Sequence, residues 1–331
     1  MQFQKIYQPL IFCFAGQGSQ YFGMGADLFK SDPVFAFWFR RGAELLRASH
    51  GLDLIDEVLG PHRRIGMPFD DLAVSHPALF VIQFSLARAL LERGVRPDVL
   101  WGVSLGEIVA LAVAEAIPFE TALDAVANQP AVFAACPPGG MLAVLASADI
   151  RRELPVELEV GGESAPQHCV LSGPADSIAA AQTWLQAREI ACQRLWVPYA
   201  FHSRWIAAAE QAYRANAARL VFDAPQIPCW SSASLSMTHA PTSDTLWRIV
   251  RGPMRVRASA ESFERQGGAH YLDLSPSGTF AALLRYTIPT GGASTTKPLM
   301  SPFGGNPARV ADAIRTFAAP RDGIAPLHAT H

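Results

Sequence analysis

The chain has 331 residues, half of them hydrophobic and 17% charged, which excludes a disordered polymer and suits one large domain carrying a smaller one. Its 27 basic residues are scattered among 29 acidic ones for a net charge of -2, so it lacks the electrostatic footprint of a nucleic-acid or anionic-membrane partner. The five cysteines lie far apart, with no CxxC pair and no histidine cluster at ligand spacing, so they read as free buried thiols and no metal site is expected.

In chain order, the apolar run Pro9 to Ala15 stops at a Gly/Gln/Ser loop. It is too short for a secretory core and predicts a strand, Leu10 to Phe14, in a cytoplasmic protein. Helical spacing follows over Pro33 to Ser49 and Pro77 to Arg93, then a strand-like run over Val99 to Val103 and helical spacing again over Ile108 to Ile117. Residues 138–197 change character: MLAVLA reads as strand, Ala148 to Glu153 as helix, VELEV and HCVLSG as strands, Ala175 to Arg188 as helix and CQRLWV as strand. That β-α-β-β-α-β order is ferredoxin-like and short enough to be an insertion. A helix over Arg204 to Leu220 and strands at Ile227 to Ser231 and Tyr271 to Leu274 return to the first pattern. Apolar runs alternating with amphipathic segments predict an α/β fold on a parallel sheet. The division expected is 1–137 with 198–318 as the large domain, 138–197 as the small one, and 319–331 as an exposed tail of Pro, Gly and small residues.

Gly102-Val103-Ser104-Leu105-Gly106 is a G-x-S-x-G sequence between an apolar run and an amphipathic one. Glycines there let the chain turn sharply enough to push a serine hydroxyl out at the head of a helix, whose amides favour negative charge. An ordinary helix-start serine gives the same pattern, so the motif alone does not decide. A serine nucleophile needs a base, and His202, in Tyr199-Ala200-Phe201-His202-Ser203, falls between a strand-like run and a helix, where a side chain can reach a sheet edge. His76, His168 and His270 are rival candidates that each also read as satisfied structural histidines.

Four segments taken together, FAGQGSQYFGMG (14–25), SHPALFVIQFSLARALLERGVRPDVLWGVSLGE (75–107), YAFHS (199–203) and LSPSGT (274–279), carry a resemblance to the malonyl-CoA:acyl-carrier-protein transacylase family. Within it the chain is most similar to the stand-alone acyltransferase-like acyl hydrolases of trans-acyltransferase polyketide pathways. The resemblance implies an α/β-hydrolase-like large domain with an inserted ferredoxin-like one. It makes Ser104 the nucleophile and His202 the base, with the oxyanion held by backbone amides of Gln17 and Leu105 and with Gly16 allowing close approach. A backbone carbonyl near Ile249 would orient the histidine, a carboxylate such as Asp273 being the alternative.

Malonyl-selective members of that family carry an arginine where this chain has Gln129, and many have a histidine where it has Val103. A neutral amide cannot neutralise a carboxylate in a dry pocket, and an unpaired buried charge costs about 3–5 kcal/mol, more than a hundredfold in binding. Pro130 bends this segment away from regular helix. With Phe201 also at the acyl pocket, the resemblance implies an editing hydrolase that clears neutral acyl groups such as acetyl from acyl-carrier-protein domains of a polyketide synthase. No cofactor is bound, the phosphopantetheine arm or CoA being the substrate's carrier, and acidic carriers would meet Arg251, Arg255 and Arg257. A loading acyltransferase and a non-catalytic synthase-binding module are the alternatives.

Overall fold

The computed structural model describes residues 7–289 and 291–318; the expected tail lies outside them. Among the described residues eleven strands form two sheets: β1 Leu10–Phe14, β2 Val99–Gly102, β3 Gly139–Val144, β4 Glu159–Ala165, β5 His168–Pro174, β6 Cys192–Arg194, β7 Cys229–Ser231, β8 Ser236–Thr238, β9 Met254–Arg255, β10 His270–Asp273 and β11 Thr295–Pro298. The larger sheet has the order β11-β10-β1-β2-β7-β8 and is parallel except for β8, the antiparallel edge. Every residue of β1 and β2 is buried, as expected of central strands covered by helices on both faces. Gly102 and Phe14 are register partners, so the Gly102 elbow and the Gly16-Gln17-Gly18 loop leave the same end of the sheet side by side.

Behind this end runs the helix Leu72–Leu91, capped by the Asp71 carboxylate on the Ala73 amide at 2.9 Å. That cap starts the helix before Pro77, where apolar spacing alone places its beginning. By length and composition this helix could cross a membrane, but 89% of its most apolar stretch is buried inside the protein. Its Gln83 is wholly buried and clasps the end of β1, accepting from the Ala15 amide at 2.8 Å and donating to the Ala15 carbonyl at 2.9 Å. A buried amide with both ends satisfied fixes the chain where the glycine loop begins.

The smaller sheet has the order β6-β3-β5-β4-β9. Its first four strands pair antiparallel in the ferredoxin-like arrangement around their own core of Leu142, Leu171, Ile178 and Leu185. The expected first helix is a single 3₁₀ turn, Ala148–Arg152, and the second is Ala175–Gln186. The strand expected at VELEV starts later, at Glu159, and runs with register irregularities near Gly161 and Ser164. β9 comes from the chain of the large part and pairs parallel with β4, Met254 opposite Gly162, so the two parts share a strand junction beside His202.

Candidate active site

Ser104 stands between β2 and the helix Leu105–Val113 at φ 57 and ψ −126, a conformation sparsely populated by non-glycine residues. The elbow is held in it by packing. A Cβ on Gly106 would lie 2.0 Å from the Phe14 carbonyl oxygen, and one on Gly102 would lie 2.3 Å from the Glu107 amide nitrogen. The glycines are therefore needed for close backbone approach, and the serine takes the strained turn itself. The helix begins directly at Leu105, earlier than periodicity suggests, because the turn delivers the chain into it.

Ser104 Oγ lies 2.9 Å from His202 Nε2, although the two residues are 98 positions apart. His202 is 3% exposed and also has a positive φ, 60°. Its Nδ1 lies 2.7 Å from the Gly252 carbonyl oxygen. A carbonyl only accepts, so Nδ1 carries the proton and Nε2 presents a lone pair to the serine hydroxyl. Burial lowers the His202 pKa to about 4 despite the opposing pull of the Gly252 carbonyl, so the ring is neutral, and able to accept a proton, at neutral pH.

The orienting carbonyl is thus that of Gly252 and not that of Ile249. The helix Ser243–Arg251 ends there, and its terminal carbonyls lack partners farther along a helix. The Val250 carbonyl accepts from the His202 amide at 3.0 Å, while Gly252, already extended, turns its own toward the ring. Ile249 instead lines the cavity wall. Asp273 has no part in orienting the histidine: its two oxygens accept from the Ser275 and Ala281 amides at 2.7 and 2.8 Å, fastening the head of the following helix.

Gly16 presses on the elbow, and a Cβ there would lie 2.9 Å from the Ser104 Cβ. Gln17 and Leu105 line the same cavity as Ser104. Among the described residues neither backbone amide donates to another protein group, which leaves two N–H groups beside the serine for a developing negative oxygen. The Gln17 side chain donates to Ser75 Oγ at 2.8 Å, which steadies the loop.

The cavity, about 420 Å³, is lined from both parts of the molecule, by Ser104 and Phe280 on one side and Met141 and Val170 on the other. Val103, Phe201 and Gln129 all line it. Gln129 opens the short helix Gln129–Phe133, which follows Phe119–Ala127 after a break at Asn128, so Pro130 sits in a first turn, where no amide is missed. Its Oε1 lies 2.5 Å from Nδ1 of His76, also in the cavity wall, and both residues are 5% exposed. Burial lowers the His76 pKa to about 4 against the pull of that hydrogen bond, so the pair is neutral. In sequence His76 reads equally well as a structural histidine; its place in SHPALF gives no sign of a partner 53 positions away.

The three arginines expected to meet a carrier are engaged within the protein. Arg251 lies 3.9 Å from Glu159, Arg255 donates to the Ala233 carbonyl at 2.9 Å, and Arg257 reaches Glu261 at 2.8 Å and Glu163 at 3.8 Å. They tie the two parts and the loop after β7 together, and they are not a free basic rim.

A serine on a strained strand-to-helix turn, with a neutral histidine nitrogen on its hydroxyl and two unengaged amides, is an arrangement able to carry out acyl transfer through serine. The chain belongs to the acyl transferase domain family, whose profile matches residues 11–302. It is 36% identical over 300 residues to the polyketide biosynthesis acyltransferase homolog PksD of Bacillus subtilis, covering 89% of this chain and 93% of that protein. The acyltransferase domain from the second module of the salinomycin polyketide synthase superposes with a TM-score of 0.81 at 28% identity, over 93% of this chain and 72% of that one. The PlMCAT:AntF structure, a malonyl-transacylase in complex with a type II polyketide synthase acyl-carrier protein, shares the fold with a TM-score of 0.80 at 22% identity, over 93% and 99%.

Proposed function

We propose that this protein is an acyl hydrolase of polyketide biosynthesis that releases neutral acyl groups such as acetyl from acyl-carrier-protein thioesters through an acyl-Ser104 intermediate. The observation that carries the reading is the 2.9 Å contact between Ser104 Oγ and His202 Nε2 in a cavity walled by the neutral Gln129. The similarity to polyketide biosynthesis acyltransferase homologs supports the pathway. Lining of the cavity by both sheets' parts supports a cleft through which a phosphopantetheine arm, or CoA, brings the thioester to the serine.

In this mechanism His202 Nε2 takes the hydroxyl proton as Oγ bonds to the thioester carbon, and the Gln17 and Leu105 amides hold the oxyanion. Nδ1 keeps its bond to the Gly252 carbonyl, which stabilises the imidazolium. Collapse of the intermediate breaks the C–S bond, and the imidazolium returns the proton to the departing thiolate. Water then attacks the acyl-serine, giving up a proton to His202. The Oγ–C bond breaks, Ser104 regains a proton from the ring, and the free acid leaves.

Intact-protein mass spectrometry after mixing with acetyl-loaded carrier tests this. A transient acetyl adduct on Ser104, absent in Ser104→Ala, together with free acetate is the expected result. Acetyl arriving on a second, empty carrier faster than as acetate would make the protein a loading transferase. No adduct and no thioester loss would leave only a binding module.

A further inference from the structure

The acyl-facing wall near Ser104 is apolar at Val103, Ile108, Phe201 and Ile249, yet two buried polar side chains, His76 and Gln129, interrupt it. We propose that they form a neutral hydrogen-bonding clamp that selects acyl groups bearing an uncharged oxygen close to the carbonyl, as in a 3-hydroxyacyl group. The proposal rests on the acyl-Ser104 reading above and adds the substrate class.

Gln129 Oε1, an acceptor, faces His76 Nδ1 at 2.5 Å, so Nδ1 carries the proton and His76 Nε2 is an acceptor. Engaging Oε1 leaves the Gln129 amide nitrogen as the donor available to a bound group. The cavity therefore offers one neutral donor and one neutral acceptor together. The pair shares a cavity with the reacting centre: His76 and Gln129 line it together with Ser104 and His202, and the His76 ring lies 6.1 Å from that of Phe201, in the same wall.

A hydroxyl, which both accepts and donates, satisfies the two groups at once, and a ketone satisfies the donor alone. A carboxylate gains one hydrogen bond but turns its second oxygen toward the imidazole lone pair with no cation to offset its charge. A plain alkyl chain covers both groups and pairs neither, which is disfavoured because a buried, unpaired polar group loses its bonds to water. Acetyl is short enough to leave a water on the pair and so remains a substrate.

The test compares 3-hydroxybutyryl and butyryl thioesters of one carrier protein, equal in carbon number, by kcat/KM for release and by labelling of Ser104. The protein is expected to prefer 3-hydroxybutyryl about tenfold or more. Gln129→Met and His76→Leu should bring that ratio close to one, whereas His76→Asn, which can still donate to Gln129 Oε1, should retain most of it. A ratio is indifferent to how much of a variant is folded, which separates selection from simple loss of structure. Equal wild-type rates, a preference for butyryl, or a ratio unchanged in both apolar variants would overturn the clamp while leaving the acyl-serine reading intact. Failure of both thioesters to label Ser104 would overturn that reading and the clamp with it.

Discussion

Ser104 and His202 both adopt positive φ, 57° and 60°, without being glycine, and each such residue costs about 1–3 kcal/mol that the surrounding packing must offset. What the strain secures is a hydroxyl and a ring nitrogen 2.9 Å apart, the ring's tautomer being fixed by the Gly252 carbonyl. Because burial lowers the His202 pKa to about 4, its basic form is complete at neutral pH and is lost only as pH falls through that value. The kcat/KM for acylation of Ser104 should therefore be flat from about pH 5 to 8 and decline tenfold per pH unit below about 4. Stopped-flow acylation across that range checks it, and an acid limb near 6.5 would mean a solvated imidazole. Gln129 is open to a separate trial. Gln129→Arg places a guanidinium in the wall beside the neutral His76, where it can pair with a carboxylate, so malonyl labelling of Ser104 should increase by about tenfold or more. No gain would remove residue 129 from acyl recognition.

At the scale of elements, the elbow is set by how closely the head of the helix Leu105–Val113 approaches β1. A methyl group at Gly106 would meet the Phe14 carbonyl at 2.0 Å, against backbone that cannot swing away as a flexible side chain would. Gly106→Ala must push the helix off the sheet, with an expected cost of about 3 kcal/mol or more and loss of Ser104 labelling. Gly94→Ala is a control: a methyl group there would meet nothing within 4 Å, and only the positive φ of 85° is strained, so the cost should be about 1 kcal/mol. Denaturant unfolding of the two variants would show whether close approach, and not glycine's freedom alone, is what this turn requires.

Across the whole molecule, what could be read from sequence followed the physics that leaves a local trace. The runs at Leu10–Phe14 and Val99–Gly102 were legible as strands because burial on both faces makes them continuously apolar. The elbow at Ser104 was legible because a strand-to-helix turn packed this closely leaves no room for a side chain at Gly102 or Gly106. The Gly252 carbonyl was not, since every residue has one and only the helix end selects it. The His76–Gln129 pair was hidden by its long separation in the chain, and a count of arginines cannot reveal that Arg251 and Arg257 face Glu159 and Glu163.

Glu107 shows the same limit: nothing in the sequence marks its carboxyl as buried, yet the residue is 4% exposed and accepts from the Ala233 amide at 3.1 Å. Burial raises its pKa from 4.5 to about 8, against smaller opposing contributions from Ser231, Ala233 and Ser232. The folded protein keeps a proton that the unfolded chain has shed, so this contribution to stability is full below pH 4.5 and is lost as pH rises through about 8. Asp273, raised from 3.8 to about 6, behaves alike in a lower window, whereas His76 and His202, lowered from 6.5 to about 4, act the other way: they are neutral in the fold while the unfolded chain still takes up their protons near pH 6.5, so their contribution to stability rises with pH. Cys229, beside Glu107, is pushed up to about 12 and does not titrate there. Between pH 6.5 and 8, then, Glu107 alone is expected to remove about 2 kcal/mol of unfolding free energy, partly offset by the two histidines. Glu107→Gln keeps the acceptor for Ala233 and removes the titration, so denaturant unfolding at pH 6.5, 7.25 and 8 should show the wild type falling relative to the variant by about 2 kcal/mol across the range. Parallel slopes would mean that the carboxyl is already ionised in the fold at neutral pH, with Ser231 and the Ala233 amide outweighing its burial.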